Sequence, residues 1–122
     1  MLRRVKDNDP SLVALDHQLE YLEEDDIIAL CRALKTNNKI KILKFTNNAL
    51  SLHSCNAIAD MLGDNTTLQS LYIGRNHFCA GGIKTIFTAL KGNKTLRYLD
   101  LILSIMNRRK YKLNPAIYIH FR

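Results

Sequence analysis

The chain has 122 residues, a hydrophobic fraction of 47%, a charged fraction of 24% and a formal charge of +7. That length suits one domain, near the size where burying enough apolar surface becomes difficult. No apolar run approaches the roughly 18 residues of a membrane span, and Met1-Leu2-Arg3-Arg4-Val5-Lys6-Asp7 lacks the apolar segment of a secretory signal, so a cytoplasmic setting is expected. Cys31, Cys55 and Cys79 cannot all pair with one another and form no C-x-x-C, which fits a reducing compartment. The charge is uneven. Asp16, Glu20, Glu23, Glu24, Asp25 and Asp26 face Arg32 alone over residues 12–33, whereas Arg108, Arg109, Lys110, Lys112 and Arg122 have no acid beside them. Such a tail is either simply solvated or suited to an acidic or phosphate-rich surface.

Residues 1–11 read as the end of a helix from a cap or a preceding repeat, stopped at Asn8-Asp9-Pro10. An apolar skeleton then begins at Leu12, Leu15 and Leu22 and returns at Ile40, Leu43 and Leu50, at Leu68, Leu71 and Phe78, and at Leu96 and Leu99, each a step of 28 residues. With Asn48 and Asn76 in phase, the pattern is L-x-x-L-x-L-x-x-N-x-L, that of a leucine-rich repeat. The expected fold is therefore an α/β solenoid over residues 12–103, with about three 28-residue strand-helix repeats and a fourth strand. The first repeat is degenerate, with His17 and Glu20 where an aliphatic residue and Asn are wanted.

A helix is expected over Asp25–Leu34, burying Ile27, Leu30, Cys31 and Leu34. A second buries Cys55, Ile58, Ala59, Met61 and Leu62, and a third Ile83, Ile86, Phe87, Ala89 and Leu90. Asn37, Asn65 and Asn93 close them at one phase, so the sequons Asn65-Thr66-Thr67 and Asn93-Lys94-Thr95 read as structural. Asn48 and Asn76 are expected to form an amide ladder where the chain leaves each strand, and Asp26 and Ser54 to cap helices at the phase of Gly82. After Leu101 the register fails, with Ser104 at the Asn phase and Asn114-Pro115 inside the expected helix. Residues 104–122 are thus expected to be an irregular basic tail. A start within a helix and an end off register suggest truncation or an alternative transcript, and the chain is expected to be a monomer or a fragment of a longer one.

The period and the phrases Ala33-Leu34-Lys35-Thr36-Asn37 and Ala89-Leu90-Lys91-Gly92-Asn93 resemble the ribonuclease-inhibitor class of leucine-rich repeats, over about residues 12–101. Asn8-Asp9-Pro10 and Ala57-Ile58-Ala59-Asp60-Met61-Leu62-Gly63-Asp64-Asn65 are similar to the repeat domain of tropomodulins and leiomodins. That resemblance implies actin as a partner, bound at filament pointed ends.

Strand positions facing away from the core line the concave face. The period stacks Asp16, Lys44, Tyr72 and Asp100 in one column and Ala14, Ile42, Ser70 and Tyr98 in another, bordered by Lys41, Gln69 and Arg97. Tyr72 and Tyr98, with Lys44, Arg75, Arg97 and Asp100, form a candidate partner-binding patch, since Tyr and Arg carry a disproportionate share of interface energy. The alternative is an ordinary polar sheet surface. His53-Ser54-Cys55 and His77-Phe78-Cys79 lie at different phases, so a zinc site is not expected, and no nucleophile elbow, phosphate loop or calcium loop is present. The reading is a non-enzymatic protein-interaction module without catalytic, cofactor or metal residues. Its alternatives are tropomodulin-like actin binding, and electrostatic binding of RNA or an anionic lipid surface through the basic tail and Lys39, Lys41 and Lys44, which ranks last.

Overall fold

The computed structural model describes residues 1–16, 22–45, 51–74, 80–100 and 118–120, with only the backbone of Ala80 and of residues 118–120. Helix α1 (Leu2–Lys6) is followed by β1 (Ala14–Leu15), α2 (Glu24–Leu34), β2 (Ile42–Lys44), α3 (Leu52–Asp64) and β3 (Ser70–Tyr72). Then come α4 (Ala80–Leu90), β4 (Tyr98–Asp100) and β5 (Tyr118–His120). The strands form one five-stranded sheet in chain order, with every neighbouring pair parallel. Parallel neighbours need a crossover, and a helix supplies it between successive strands from β1 to β4.

Ala14, Ile42, Ser70 and Tyr98 are register partners across the first four strands, so the 28-residue step of the sequence is the register of the sheet. Leu15, Leu43, Leu71 and Leu99 follow them and are fully buried. Ile40, Leu68 and Leu96 enter the same core ahead of the strands, and Phe45 and Ile73 enter it behind. The helices close it with Ile27, Leu30 and Leu34, with Cys55, Ile58 and Met61, and with Ile86, Phe87 and Leu90. One continuous core results, to which each buried Leu or Ile contributes roughly 1.5–3 kcal/mol.

Two expectations need correction. The tail is not wholly irregular, because β5 pairs with β4, joining Tyr98 to Tyr118 and Asp100 to His120. The spacing there is 20 residues, so a search for the 28-residue skeleton passes over it. A parallel ladder needs only extended backbone, which the aromatic and β-branched pair Tyr118-Ile119 favours. Asp26 and Ser54 are not helix caps. The N-caps are Glu23 and Ser51, and Asp26, Ser54 and Gly82 are each the third residue of their helix. The Asp26 carboxylate accepts from the Glu23 backbone N–H at 3.3 Å in a reciprocal capping box. The Ser51 hydroxyl oxygen accepts from the Ser54 N–H at 3.1 Å and also bonds the Glu24 carboxylate, which links the starts of α2 and α3.

The expected ladder at Asn48 and Asn76 lies outside the described residues. Another ladder stands at the opposite end of the repeat, where each helix gives way to a strand. The Asn37, Asn65 and Asn93 side-chain amides donate to the carbonyls of Val5, Leu34 and Leu62 at 2.9, 2.7 and 2.9 Å. Each Oδ1 also accepts two backbone N–H groups ahead of the next strand, as Asn65 does from Thr67 and Leu68 at 2.8 and 2.7 Å. All three residues are buried, and each ties the end of one repeat to the start of the next.

Candidate functional site

The outward positions of β1–β4 build a continuous row of side chains across the sheet. Because Lys44 pairs with Tyr72, and Tyr72 with Asp100, side chains from different repeats meet directly. The Lys44 ammonium lies 4.8 Å from the centre of the Tyr72 ring and 3.2 Å from the Asp16 carboxylate. On the other side, the Tyr72 and Tyr98 rings stand 5.1 Å apart at 41°. A carboxylate, an ammonium and two aromatic rings thus run diagonally from the first repeat to the fourth. The ring faces attract the cation, and the tilted ring pair suits their quadrupoles.

Lys44, Tyr72, Tyr98 and Asp100 are all half-buried, so the row offers firm side chains with part of their surface in solvent. Rings already held by neighbours lose little rotamer freedom when a partner settles on them. Arg97 is exposed, and its guanidinium donates to the Lys94 carbonyl at 2.7 Å, toward the rim of the face. Arg75 lies outside the described residues. The column spacing alone does not reveal the Asp16–Lys44 ion pair. Both residues stood in one predicted column, and opposite charges one repeat apart were the available signal.

Elsewhere the surface is quieter. An open cleft of about 410 Å³ between α2 and α3 is lined by Ile28, Arg32, Lys35, His53, Asn56, Ala57 and Asp60. The Lys35 ammonium lies 2.9 Å from Asp60 and 3.3 Å from Asp64, and these bonds raise its pKa. Cys31 and Cys55 are buried, and desolvation pushes the Cys31 thiol up to about 12. His53 is exposed while Cys55 is buried, so the His53-Ser54-Cys55 stretch does not converge, and His77 and Cys79 lie outside the described residues. Among the described residues, no group of three or more His, Cys, Asp or Glu is placed to hold a metal ion, and no helix is long and apolar enough to cross a membrane.

A parallel strand-helix solenoid with a 28-residue register narrows the comparison to leucine-rich repeats, and one profile among them matches residues 1–108, that of the TMOD/LMOD Leucine-rich domain. The chain belongs to that family. The TMOD/LMOD family is non-enzymatic. Human leiomodin-1 is 34% identical over 99 residues, covering 80% of this chain and 16% of leiomodin-1. Mouse tropomodulin-4 is 32% identical over 100 residues, covering 81% of this chain and 29% of tropomodulin-4. The chain therefore spans less than a third of the length of these relatives.

The solved structure described as "Leiomodin-1 Actin-Binding Site 2 (ABS2)" superposes with a TM-score of 0.88 at 28% identity, covering 99% of this chain and 76% of that one. The tropomodulin C-terminal domain of Caenorhabditis elegans superposes with a TM-score of 0.75 at 12% identity, covering 88% of this chain and 67% of that one, which speaks to the fold alone. The TMOD/LMOD repeat frame explains why the arc is built as it is, and leaves its outward side chains to be read individually.

Proposed function

We propose that this chain is a cytoplasmic protein-interaction module that binds actin through its concave face, with the row Lys44, Tyr72, Tyr98 and Asp100 at the centre of the contact. The observation that carries the reading is the likeness to leiomodin-1 Actin-Binding Site 2 over nearly the whole chain. The row supplies the physical side. Its rings are supported by their neighbours, and aromatic anchors of this kind tend to dominate the energy of an interface. Binding at filament pointed ends is the narrower form of the proposal.

Two measurements separate the broad form from the narrow one. The chain is titrated into labelled monomeric actin, and it is also added to filaments elongating only from their pointed ends. Binding to the monomer supports the broad form, and slowed elongation supports the narrow one. Tyr72→Ala should weaken binding about tenfold or more while leaving the circular dichroism spectrum intact. If the wild-type chain binds neither form of actin, or if Tyr72→Ala binds as well as wild type, the concave-face reading is wrong.

A further inference from the structure

The flank where the strands begin carries a second surface that the concave row does not use. Lys41, Gln69 and Arg97 immediately precede β2, β3 and β4, and their backbones are joined in sequence. The Gln69 N–H donates to the Lys41 carbonyl at 2.9 Å and the Arg97 N–H to the Gln69 carbonyl at 2.8 Å. Neighbouring strands lie about 4.8 Å apart, so Lys41 and Arg97 stand about 10 Å apart along this ledge with an amide between them. Lys39 and Lys94 extend the ledge toward the helices. Lys41, Lys94 and Arg97 are exposed and Lys39 is half-buried, and no carboxylate among the described residues pairs with any of the four.

The charge here differs from that of the concave row. Lys44 is countered by Asp16, and Lys35 by Asp60 and Asp64, whereas the ledge cations have no such counterweight among the described residues. Arg97 is also held in place by its bond to the Lys94 carbonyl. At the β1 end the ledge meets two exposed aliphatic side chains. Val13 is 52% and Ile42 36% exposed, and the Val13 carbonyl accepts from the Lys41 N–H at 2.8 Å, so both lie beside Lys41.

We propose that this ledge is a docking surface for an acidic, extended protein segment. Carboxylates of the segment pair with Lys39, Lys41, Lys94 and Arg97, its backbone meets Gln69, and one apolar side chain settles on Val13 and Ile42. Unpaired cations select a polyanion, and the aliphatic pair selects a protein among polyanions, since a phosphodiester chain or a lipid headgroup has no apolar side chain to place there. Apart from Ile42, which also stands in a concave-face column, the ledge lies outside the row of Lys44, Tyr72, Tyr98 and Asp100, and it stands whether or not that row takes actin.

The test uses the whole chain and a fluorescent 12-residue peptide of Asp and Glu with one central Leu, followed by anisotropy. Binding should weaken steeply as salt rises. It should fall about tenfold in Lys41→Glu, survive in Lys41→Arg, and fall severalfold when the peptide Leu is replaced by Ser or Val13 by Ser. Tyr72→Ala should leave it unchanged, which separates this proposal from the actin reading. Lys41→Glu alters an exposed side chain, and its circular dichroism spectrum should match wild type. No binding at low salt, indifference to Lys41→Glu, or loss in Tyr72→Ala overturns the proposal. So does tighter binding, through the same residues, of single-stranded RNA or of vesicles containing a phosphoinositide.

Discussion

Asn65 shows how much one side chain carries in this fold. Its amide nitrogen donates to the Leu34 carbonyl at 2.7 Å while its oxygen accepts from the Thr67 and Leu68 N–H groups at 2.8 and 2.7 Å, the bonds to Leu34 and Leu68 being buried and that to Thr67 half-buried. In Asn65→Ala, a buried carbonyl and two backbone N–H groups lose their partner, and each such loss costs about 1–3 kcal/mol. A drop of about 3 kcal/mol in urea unfolding is expected, and Asn65→Asp should not rescue it at neutral pH, because its second carboxylate oxygen would face the Leu34 carbonyl in a buried site. The same geometry places the sequon nitrogens of Asn65 and Asn93 inside the fold. Asp9 is the second residue with a measurable signature. The Ser11 hydroxyl and backbone N–H and the Arg4 guanidinium bond its carboxylate and lower its pKa from 3.8 to about 2. The bonded carboxylate therefore adds stability at pH values above 3.8, and that contribution fades as pH falls through about 2. In acid titrations, Asp9→Asn should be less stable than wild type near pH 5, and the difference should close towards pH 2.

The helices and strands were legible in the sequence to different depths. Leu15, Leu43, Leu71 and Leu99 announce the strands because a buried central position tolerates little else, and the 28-residue step then yields their register directly. The step identifies equivalent positions but says nothing of where a helix begins. That is why Asp26 and Ser54 read as caps when they lie one turn inside α2 and α3. The concave columns followed from strand alternation, whereas the contacts among Asp16, Lys44, Tyr72 and Tyr98 depend on rotamers that spacing does not encode. Ser51 offers a test at this level. It caps α3 and bonds Glu24 of α2, so Ser51→Ala removes a cap and a link between helices together. Loss of a Ser cap costs about 1 kcal/mol. Thermal unfolding should report at least that loss, and Ser51→Asp should recover less of it than an ordinary cap would, because the new carboxylate faces Glu24.

In the whole molecule, stability comes from stacking, since no repeat buries its own apolar face and each leans on its neighbours. Position along the stack should therefore decide how far the effect of a mutation spreads. Leu15 and Leu71 are equally buried, but Leu15 sits in β1, the first strand of the sheet, whereas Leu71 in β3 has β2 and β4 on either side. Deleting a buried Leu side chain to Ala costs about 2–5 kcal/mol. In Leu71→Ala, both flanking interfaces lose packing, so urea unfolding should shift by an amount in that range and amide exchange should quicken across the described strands. In Leu15→Ala the damage should stay at one end, with faster exchange in β1 and α2 and near-normal protection in β3 and β4. Equal acceleration everywhere in both variants would mean that the four repeats unfold as a single unit, with an interface coupling too strong for the ends to fray independently.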